Sequence, residues 1–429
     1  MNNSSENTNN AKSQFELSKR YFNENNIELM LKSLNQSANS NYLPALQSLA
    51  NIYAKGGFIP VDLVKAENLY QRAIDQGCEQ SLFQMAELKF INGSSTTQIE
   101  AGIKHYWLAA QLGNPQALFQ LYLFYKNVTS AIVFSQYCLI YASMQEFLPA
   151  IVALNNNKVL QENDCVELYI KISVICGASD YPNLNSHHEL FVDFKCGEKE
   201  ELKKLKNVVH KSMQLPKFSL PEVIHSKLTP KLLSKAINLN LTSDFLDQDE
   251  ANYIVFLSRP YQEKAKVINS DSKHGGMDSS VRSNSYMYFS PTRVSGFIKF
   301  IERKICDLVR KNIEESEPLS VLHYQVGQEY KPHFDFFDPS LPVSKSLLEK
   351  AGQRTRTVLL YLNDVEIGGD TYYPEIDISI EAKCGTLVYM DNCYNDGSIN
   401  LMSLHAGRSV LKGEKWIAVK WFRERKVII

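Results

Sequence analysis

The feature that most constrains this fold is a 36-residue period near the start of the chain. Ala45, Ser81 and Ala117 are spaced by this period, and so are Gly77 and Gly113. Within each unit the apolar residues recur at i, i+3, i+4 and i+7, which predicts helices with one buried stripe. A glycine at the end of such a helix suits a left-handed cap. The pattern therefore predicts helix–turn–helix hairpins that stack into a solenoid, because one hairpin cannot bury its apolar face alone.

Two of these units resemble Sel1-like repeats, which are related to tetratricopeptide (TPR) repeats. The resemblance rests on the segments KAENLYQRAIDQGCEQSLFQMAELKFING and EAGIKHYWLAAQLGNPQALFQLYLFYKN. A disordered Asn/Ser-rich tail is expected over residues 1–12, the repeats over 13–160, and a mostly helical bridge over 161–235. The repeats could serve only for packing, or they could present a concave surface to a protein partner, and both alternatives stay open.

Composition bears on partners and on location. The formal net charge is −1, so there is no basic excess of the kind that binds nucleic acid or an anionic membrane. The eight cysteines are scattered and form no Cys-x-x-Cys pair, which favours reduced thiols over a disulfide framework. The first residues lack the basic and apolar regions of a secretory signal, and no run approaches the roughly 18 apolar residues of a membrane span. These features predict a cytoplasmic protein.

A different pattern begins near residue 236 and continues to 429. Two helices are expected, over Asp247–Leu257 and Val294–Asn312, followed by short β-rich runs separated by turns. These runs are LSVLHYQV, RTVLLYL, GTLVYM, SLHAGRSV and KWIAVKWF. Many short strands with few helices predict a β-sandwich or barrel. The chain is therefore expected to be an α+β multidomain protein, in which an α-helical solenoid (Sel1/TPR-like) precedes a β domain with flanking helices.

Three residues in this second part have the chemistry of a metal site. His333 and Asp335 are two residues apart, and on a strand they would project from one face, about 7 Å apart at the backbone. His405 begins a later run, SLHAGRSV. Two histidines and one aspartate form the facial set that leaves open positions on iron(II) for a co-substrate and dioxygen. A lone His-x-Asp pair is more often structural, so the prediction depends on the third ligand.

A buried cation is predicted beside these ligands. The run KWIAVKWF places Lys415, Ile417, Val419 and Trp421 on one face of a strand. We expect that strand to pair with the strand that carries His405. A buried lysine needs an anion, and a dicarboxylate co-substrate supplies one. Taken alone, a lysine at this position would more often lie on the surface.

Three long blocks in this part resemble the core of the prolyl 4-hydroxylase family. They are LHYQVGQEYKPHFDFF, QRTRTVLLYLNDVEIGGDTYYPE and SLHAGRSVLKGEKWIAVKWF. Their order matches the family, and so does the ten-residue step from His405 to Lys415. The resemblance covers about 236–429 and implies a double-stranded β-helix (jelly-roll) fold. It also implies Fe(II) as metal, 2-oxoglutarate as co-substrate, O2 as oxidant and ascorbate as reductant.

The resemblance further implies which residues carry the chemistry. The metal is expected on His333, Asp335 and His405. The catalytic set adds the buried cation, Lys415. The co-substrate 2-oxoglutarate is expected to bind Tyr324, Thr371 and that same lysine.

The resemblance also implies a peptide substrate. Arg354 and Trp421 match positions that contact the peptide, and Tyr330 is a further candidate. We therefore expect hydroxylation of a peptidyl proline to 4-hydroxyproline in an intracellular protein that the repeats bind. Family members often carry Cys-Pro where Arg408-Ser409 stand here, which alters the rim of the site. The same chemistry on another residue or on a small molecule stays open, as does an inactive repeat-based adaptor, although the complete ligand set argues against the adaptor.

Overall fold

The structure is a computed structural model, and the residues that it describes are 2–93, 95–128, 131–156, 228–264 and 282–427. The chain divides into two compact units, Met1–Val223 and Ile224–Ile429. The predicted helical bridge over 161–235 lies outside the described residues except for 228–235. That part contains a strand, Lys231–Ser234, because its backbone pairs with the next strand. Within the described residues, no helix combines the length and apolarity needed to cross a membrane.

The first unit is a series of helices in which each packs on the next along the chain. Its described helices are α1 (Asn2–Asn23), α2 (Ile27–Asn39), α3 (Leu43–Lys55), α4 (Leu63–Ile74), α5 (Glu79–Asn92), α6 (Thr96–Gln111), α7 (Pro115–Tyr125), α8 (Ile132–Met144) and α9 (Leu148–Asn156). A residue that is buried in one helix meets buried residues of its neighbours, so that the apolar stripes form a continuous core. The predicted helical solenoid is confirmed.

The period of the sequence reappears in the backbone where helices end. Asn41, Gly77 and Gly113 all lie in the left-handed region, with φ of 59°, 80° and 92°. The residue after each of them donates its N–H to the carbonyl five positions back, in the helix that has just ended. This is the hydrogen bond of a Schellman cap. Asparagine can replace glycine at the first of these caps because its short polar side chain tolerates the conformation.

A buried tyrosine joins two helices in the same way in successive units. Tyr70 of α4 donates to Asn51 Oδ1 of α3 at 2.7 Å. At the equivalent positions one period later, Tyr106 of α6 donates to Glu87 of α5. Glu87 also accepts from Gln120 Nε2 at 2.9 Å. A buried hydroxyl without a partner would cost about 1–3 kcal/mol, so the acceptors in α3 and α5 stabilise the repeat.

The N-terminal residues differ from the prediction. Residues 1–12 are predicted to be a disordered tail, whereas α1 already begins at Asn2. Ala11 is buried, and its carbonyl accepts from Ser37 Oγ of α2 at 2.7 Å. Asparagine and serine have low intrinsic helix propensity, which suggested disorder. Packing against α2 outweighs that propensity, because tertiary contacts supply most of the stability of helices in proteins.

The second unit contains two larger antiparallel sheets. Its strands are β1 (Lys231–Ser234), β2 (Leu239–Thr242), β3 (Glu263–Lys264), β4 (Ser285–Tyr288), β5 (Ser320–Tyr324), β6 (Tyr330–His333), β7 (Arg354–Tyr361), β8 (Ile367–Gly368), β9 (Thr371–Tyr373), β10 (Ile378–Ile380), β11 (Leu387–Asp391), β12 (His405–Gly407), β13 (Val410–Lys412) and β14 (Lys415–Arg423). One sheet has the order β1-β2-β11-β7-β14-β5-β4-β3 and the other the order β10-β9-β12-β6, while β13 and β8 form a ribbon. The predicted jelly-roll domain is confirmed.

Described helices flank these sheets. The two that the sequence predicts are α10 (Gln248–Ser258) and α11 (Gly296–Val309). A third helix, α12 (Pro342–Ala351), was not predicted. Its ends carry signals that could have identified it, namely Pro342 in the first turn and Gly352 at the C-cap with φ of 75°.

The pairing of β14 corrects one prediction. Lys415 was expected on a strand paired with the strand of His405, but β14 pairs with β5 and β7. His405 lies on β12, which pairs with β6 and β9 in the other sheet. The two residues therefore reach one pocket from different sheets. Strands that follow each other in a jelly roll change sheets, so neighbours along the chain need not pair.

Candidate active site

Two paired strands bring the candidate metal ligands together. His333 ends β6 and His405 begins β12, and they are directly opposite in the antiparallel ladder. Asp335 lies in a bend beyond β6 rather than on the strand, which corrects the predicted shared strand face. Its Oδ1 is 3.8 Å from His333 Nε2, and its Oδ2 is 3.6 Å from His405 Nε2. The ligand atoms of the three residues lie within 4.8 Å of one another, which is compatible with a single bound ion.

The backbone orients both imidazoles. His333 Nδ1 is 2.8 Å from the carbonyl oxygen of Lys331, and His405 Nδ1 is 3.0 Å from that of Ser403. A carbonyl oxygen can only accept, so each Nδ1 carries the hydrogen and each Nε2 keeps a lone pair. Histidine ligands are held in this way in metal sites. The two Nε2 atoms are therefore available to a metal ion.

Burial and charge favour the protonation states in which His333 and Asp335 can bind a metal. Burial lowers the pKa of His333, and the neighbouring His405 lowers it further. Burial alone would raise the pKa of Asp335, but His405 and His333 outweigh this effect and lower it below the usual aspartate value. At neutral pH the aspartate is thus a carboxylate and His333 a neutral imidazole. A divalent cation suits this donor set because it is bound by neutral imidazoles and a carboxylate.

A pocket joins these ligands to a buried ammonium group. The lining residues are Arg282, Leu322, Tyr324, Tyr330, His333, Asp335, Leu359, Thr371, His405, Gly407, Lys415, Ile417, Val419 and Trp421. Lys415 is 2% exposed, and its Nζ has no ion pair or hydrogen bond within the described residues. Burial lowers the pKa of Lys415 to about 8, although Asp370 opposes the shift. The side chain is charged at neutral pH, so the pocket favours an anion.

Hydroxyl groups and a glycine shape the space beside Lys415. Tyr324 is directly opposite it on β5. Thr371 Oγ1 accepts from Tyr361 Oη at 2.7 Å, which leaves the threonine hydrogen free to be donated. Gly407 lines the same space, because a Cβ built on it would be in van der Waals contact with both Lys415 Nζ and Tyr324 Oη, 3.9 Å from each. A cation and hydroxyl donors fit one carboxylate, and the metal ligands fit the chelating end of the same molecule, as in 2-oxoglutarate.

The two strongest candidates for peptide contact are arranged differently. Trp421 lines the pocket, and its indole Nε1 is buried without a hydrogen-bond partner in the described residues. Arg354 is not among the lining residues. Its guanidinium lies 3.9 Å from the centre of the Trp421 ring. Glu317 accepts from Arg354 Nε at 2.8 Å and from Nη2 at 2.7 Å. A direct contact of Arg354 with a peptide therefore stays a prediction, and its guanidinium is already held by the indole and by Glu317.

Aromatic and cationic groups cover the metal ligands. The ring of Tyr330 is stacked on that of His333, with centroids 3.4 Å apart. The guanidinium of Arg282 lies over Tyr330, 4.8 Å from the ring centroid. Sequence reasoning missed Arg282, as well as Tyr361 and Gly407. The available signal for Arg282 was its position three residues before a strand that borders the site, but this arginine has no distinctive spacing from the ligands.

Comparison with known proteins agrees with this geometry. The model described as "2OG-Fe(II) oxygenase superfamily" matches residues 319–423. Prolyl 4-hydroxylase 1 of Arabidopsis thaliana is 33% identical over 211 residues, which cover 46% of this chain and 72% of that protein. Probable prolyl 4-hydroxylase 10 of the same organism is 34% identical over 200 residues, 42% of this chain and 66% of that protein. The chain thus spans just under two thirds of the length of this second relative.

Two solved structures are each similar to part of this chain. The viral collagen prolyl hydroxylase of Paramecium Bursaria Chlorella virus-1, in complex with 2-oxoglutarate, is 23% identical. It covers 44% of this chain and 96% of its own, with a TM-score of 0.34. A Sel1 repeat protein from Oxalobacter formigenes is 18% identical and covers 48% of this chain and 89% of its own, also with a TM-score of 0.34. The family is shown by Prolyl 4-hydroxylase 1 of Arabidopsis thaliana, which is 33% identical with 72% of its length covered, and this chain belongs to the prolyl 4-hydroxylase family.

Proposed function

We propose that the second unit is a dioxygenase dependent on Fe(II) and 2-oxoglutarate that hydroxylates a peptidyl proline to 4-hydroxyproline. The observation that carries the proposal is one pocket with a His-Asp-His set at one end and an unpaired buried ammonium at the other. Iron(II) would be held by His333, Asp335 and His405. With 2-oxoglutarate and dioxygen it supplies the oxidising power to hydroxylate an unactivated C–H bond.

The residues of the chain bind and orient the co-substrate. Lys415 Nζ donates to the carboxylate far from the metal, and the hydroxyls of Tyr324 and Thr371 donate to the same group. These donors are buried, so water does not compete with the carboxylate for them. Their fixed positions direct the chelating end of 2-oxoglutarate to the metal ligands. Without the anion, Lys415 would keep an unpaired charge in a site from which water is largely excluded.

A proline-containing peptide or protein is the proposed substrate. The names of the Arabidopsis relatives support it. The pocket adds support, because the half-buried indole of Trp421 offers aromatic surface of the kind on which a proline ring packs. Arg354, stacked on the same indole, holds it in place.

The first unit is proposed to bind the protein that contains the target proline, in the cytoplasm. Stacked helical repeats form extended surfaces that suit a protein partner. The described cysteines, Cys78, Cys138, Cys306, Cys384 and Cys393, are all free thiols, as in a reducing compartment. Cross-linking of the full chain to its substrate protein should give cross-links within 13–160. Cross-links confined to the second unit would contradict this role.

Turnover by the full chain tests the activity. The protein is incubated with Fe(II), ascorbate and 2-oxoglutarate, with and without proline-rich peptides, while succinate and peptide mass are measured. We expect peptide-stimulated succinate and the gain of one oxygen atom on proline. His333→Ala should abolish both, whereas His105→Ala, which changes a histidine of α6, should leave both unchanged. Succinate formation that ignores every peptide indicates a different substrate, and bound metal without turnover indicates an inactive adaptor.

A further inference from the structure

Asn392 lies at the base of the loop that follows β11. Its backbone N–H donates to the carbonyl oxygen of Thr355 at 2.9 Å, and its carbonyl oxygen accepts from Asn400 N at 2.9 Å. Cys393 and Ile399 form an isolated bridge inside the same loop. These backbone contacts close the loop without any help from the Asn392 side chain. That side chain is fully buried, at 0% exposure, and it extends towards β7 instead.

A chain of hydrogen bonds leads from this side chain to a candidate metal ligand. Asn392 Nδ2 donates to Thr357 Oγ1 at 2.9 Å, and Thr357 Oγ1 donates to Asp335 Oδ2 at 2.7 Å. The direction follows from the chemistry of the three groups. A carboxylate can only accept, so the threonine hydrogen is committed to Asp335. Thr357 Oγ1 must then accept, and the amide nitrogen of Asn392 rather than its oxygen has to face it.

The amide oxygen of Asn392 indicates that this contact has a purpose beyond packing. Asn392 Oδ1 is buried and has no hydrogen-bond partner in the described residues. Burial of an unpartnered oxygen lowers stability, and an apolar side chain of similar size would avoid that loss. Retention of the amide is explained if its nitrogen is needed at Thr357. Unsatisfied buried groups of this kind are found where function outweighs stability.

We propose that Asn392 is a positioning residue for the metal site, acting through Thr357 on Asp335. The inference rests on the proposed function, because it needs Asp335 to be a metal ligand. Thr357 engages Oδ2 and leaves Oδ1 as the free oxygen of the carboxylate. Ligation through one oxygen keeps open the positions that a chelating co-substrate and dioxygen need. Hydrogen bonds to ligating carboxylates tune metal affinity in this way.

Cobalt(II) binding to the full chain, free of other metal, provides the test. Asn392→Asp keeps the shape of the side chain but replaces the donor by an acceptor. We expect its Co(II) affinity to fall about 10- to 100-fold, with a change in the visible absorption of the bound ion. Thr357→Val should cause a similar loss, and the double variant should lose less than the product of the two, because both break one chain. Asn395→Asp makes the same chemical change at an exposed position of the loop and should bind as the unchanged protein does.

The outcomes separate this inference from the proposed function. If Asn392→Asp binds Co(II) as tightly and with the same spectrum as Asn395→Asp, the positioning role is refuted while the proposed function stands. A lower melting temperature with unchanged affinity and spectrum refutes it equally. If the unchanged protein does not bind Co(II), or if binding survives His333→Ala, both proposals fail. If Asn392→Asp does not fold, Thr357→Val provides the test, because an unchanged Co(II) affinity in that variant also overturns the inference.

Discussion

The two faces of β14 bury the same type of residue in opposite circumstances. Lys420 is 1% exposed and donates to Glu302 Oε1 at 2.6 Å and to the carbonyl oxygen of Glu317 at 2.9 Å. Lys415, as deeply buried on the pocket face, has no such partner in the part of the chain that the structure describes. The fold therefore supplies the counter-ion for one lysine and leaves the other to a ligand. An unpaired buried charge is the more informative of the two, because folding alone does not explain it.

The helical repeats of the first unit resemble the Lys420 face of β14, because their buried polar groups also have partners within the fold. Its buried carboxylate, Glu87, accepts hydrogen bonds from Tyr106 and Gln120, and the first of these repeats the Tyr70–Asn51 contact of the preceding unit. Polar groups buried for stability are satisfied by nearby parts of the fold. The comparison thus separates groups that hold the protein together from groups that await a ligand.

The largest expected effect is a loss of stability when Lys420, the lysine with partners in the fold, is replaced. Burial alone would raise the pKa of Glu302, but Lys420 and Lys299 outweigh it and lower the pKa. Lys420→Met would leave that carboxylate buried without its main partner, at a cost of about 3–5 kcal/mol in the free energy of unfolding. Urea unfolding measures the loss. The affinity of the folded variant for 2-oxoglutarate should stay unchanged, and a large change in affinity would contradict the separation of the two faces.

Lys415→Met should have the opposite effects, with weaker binding of 2-oxoglutarate and no loss of stability. Charge-assisted hydrogen bonds contribute about 1.5–3 kcal/mol, so binding of 2-oxoglutarate should weaken about 10- to 100-fold. Calorimetric titration of the metal-loaded protein measures this change. The ligand-free variant should be at least as stable as the unchanged protein, because it no longer buries an unpaired charge. A marked loss of stability would mean that Lys415 has a structural partner after all.

The pH dependence of the same lysine has a definite sign. Its folded pKa, lowered by burial to about 8, lies below the value of about 10.4 for an unfolded chain. The unfolded state therefore holds the proton to higher pH, and the stability of the ligand-free protein should rise relative to Lys415→Met as pH increases between these values. Affinity for 2-oxoglutarate should change in the other direction, falling about tenfold from pH 7 to pH 9. An equal pH profile in Lys415→Met would contradict the assignment.

The sequence predicted the parts of the site whose signal is local. His333 and Asp335 combine ligand chemistry with a two-residue spacing, and His405 precedes Lys415 by ten residues. Lys415 shares a strand face with Trp421 through simple alternation. Those groups are together in the structure. The side chains that share one face of β14 could be predicted, because a strand of this length is long enough to show the two-residue alternation. The bend that carries Asp335 could not, because it depends on how β6 ends.

Features that depend on pairing between distant segments were missed. Thr357, Asn392 and Tyr361 contact their partners across strands, and nothing in their own neighbourhoods distinguishes them from ordinary strand residues. The strands β8, β9 and β10 span only two or three residues each, too few to show an alternating pattern. The partner of β14 was wrong for a related reason, since sheet membership follows from the topology of the whole domain. The sequence thus predicts the residues that carry the chemistry better than it predicts the residues that position them.

Tyr361 provides the smallest and most selective test of that last distinction. It is fully buried and donates to Thr371 Oγ1, so it fixes the threonine that is proposed to donate to 2-oxoglutarate. Tyr361→Phe removes only the hydroxyl, and a net loss of about 0.5–1.5 kcal/mol should weaken 2-oxoglutarate binding about two- to tenfold. Tyr389→Phe, on the half-buried face of β11, is the matched control and should bind normally. If Tyr361→Phe binds normally but Thr371→Val does not, the threonine needs no partner to orient it. If both bind normally, the carboxylate depends on Lys415 and Tyr324 alone, and the pocket face of β14 with its partner strand is sufficient.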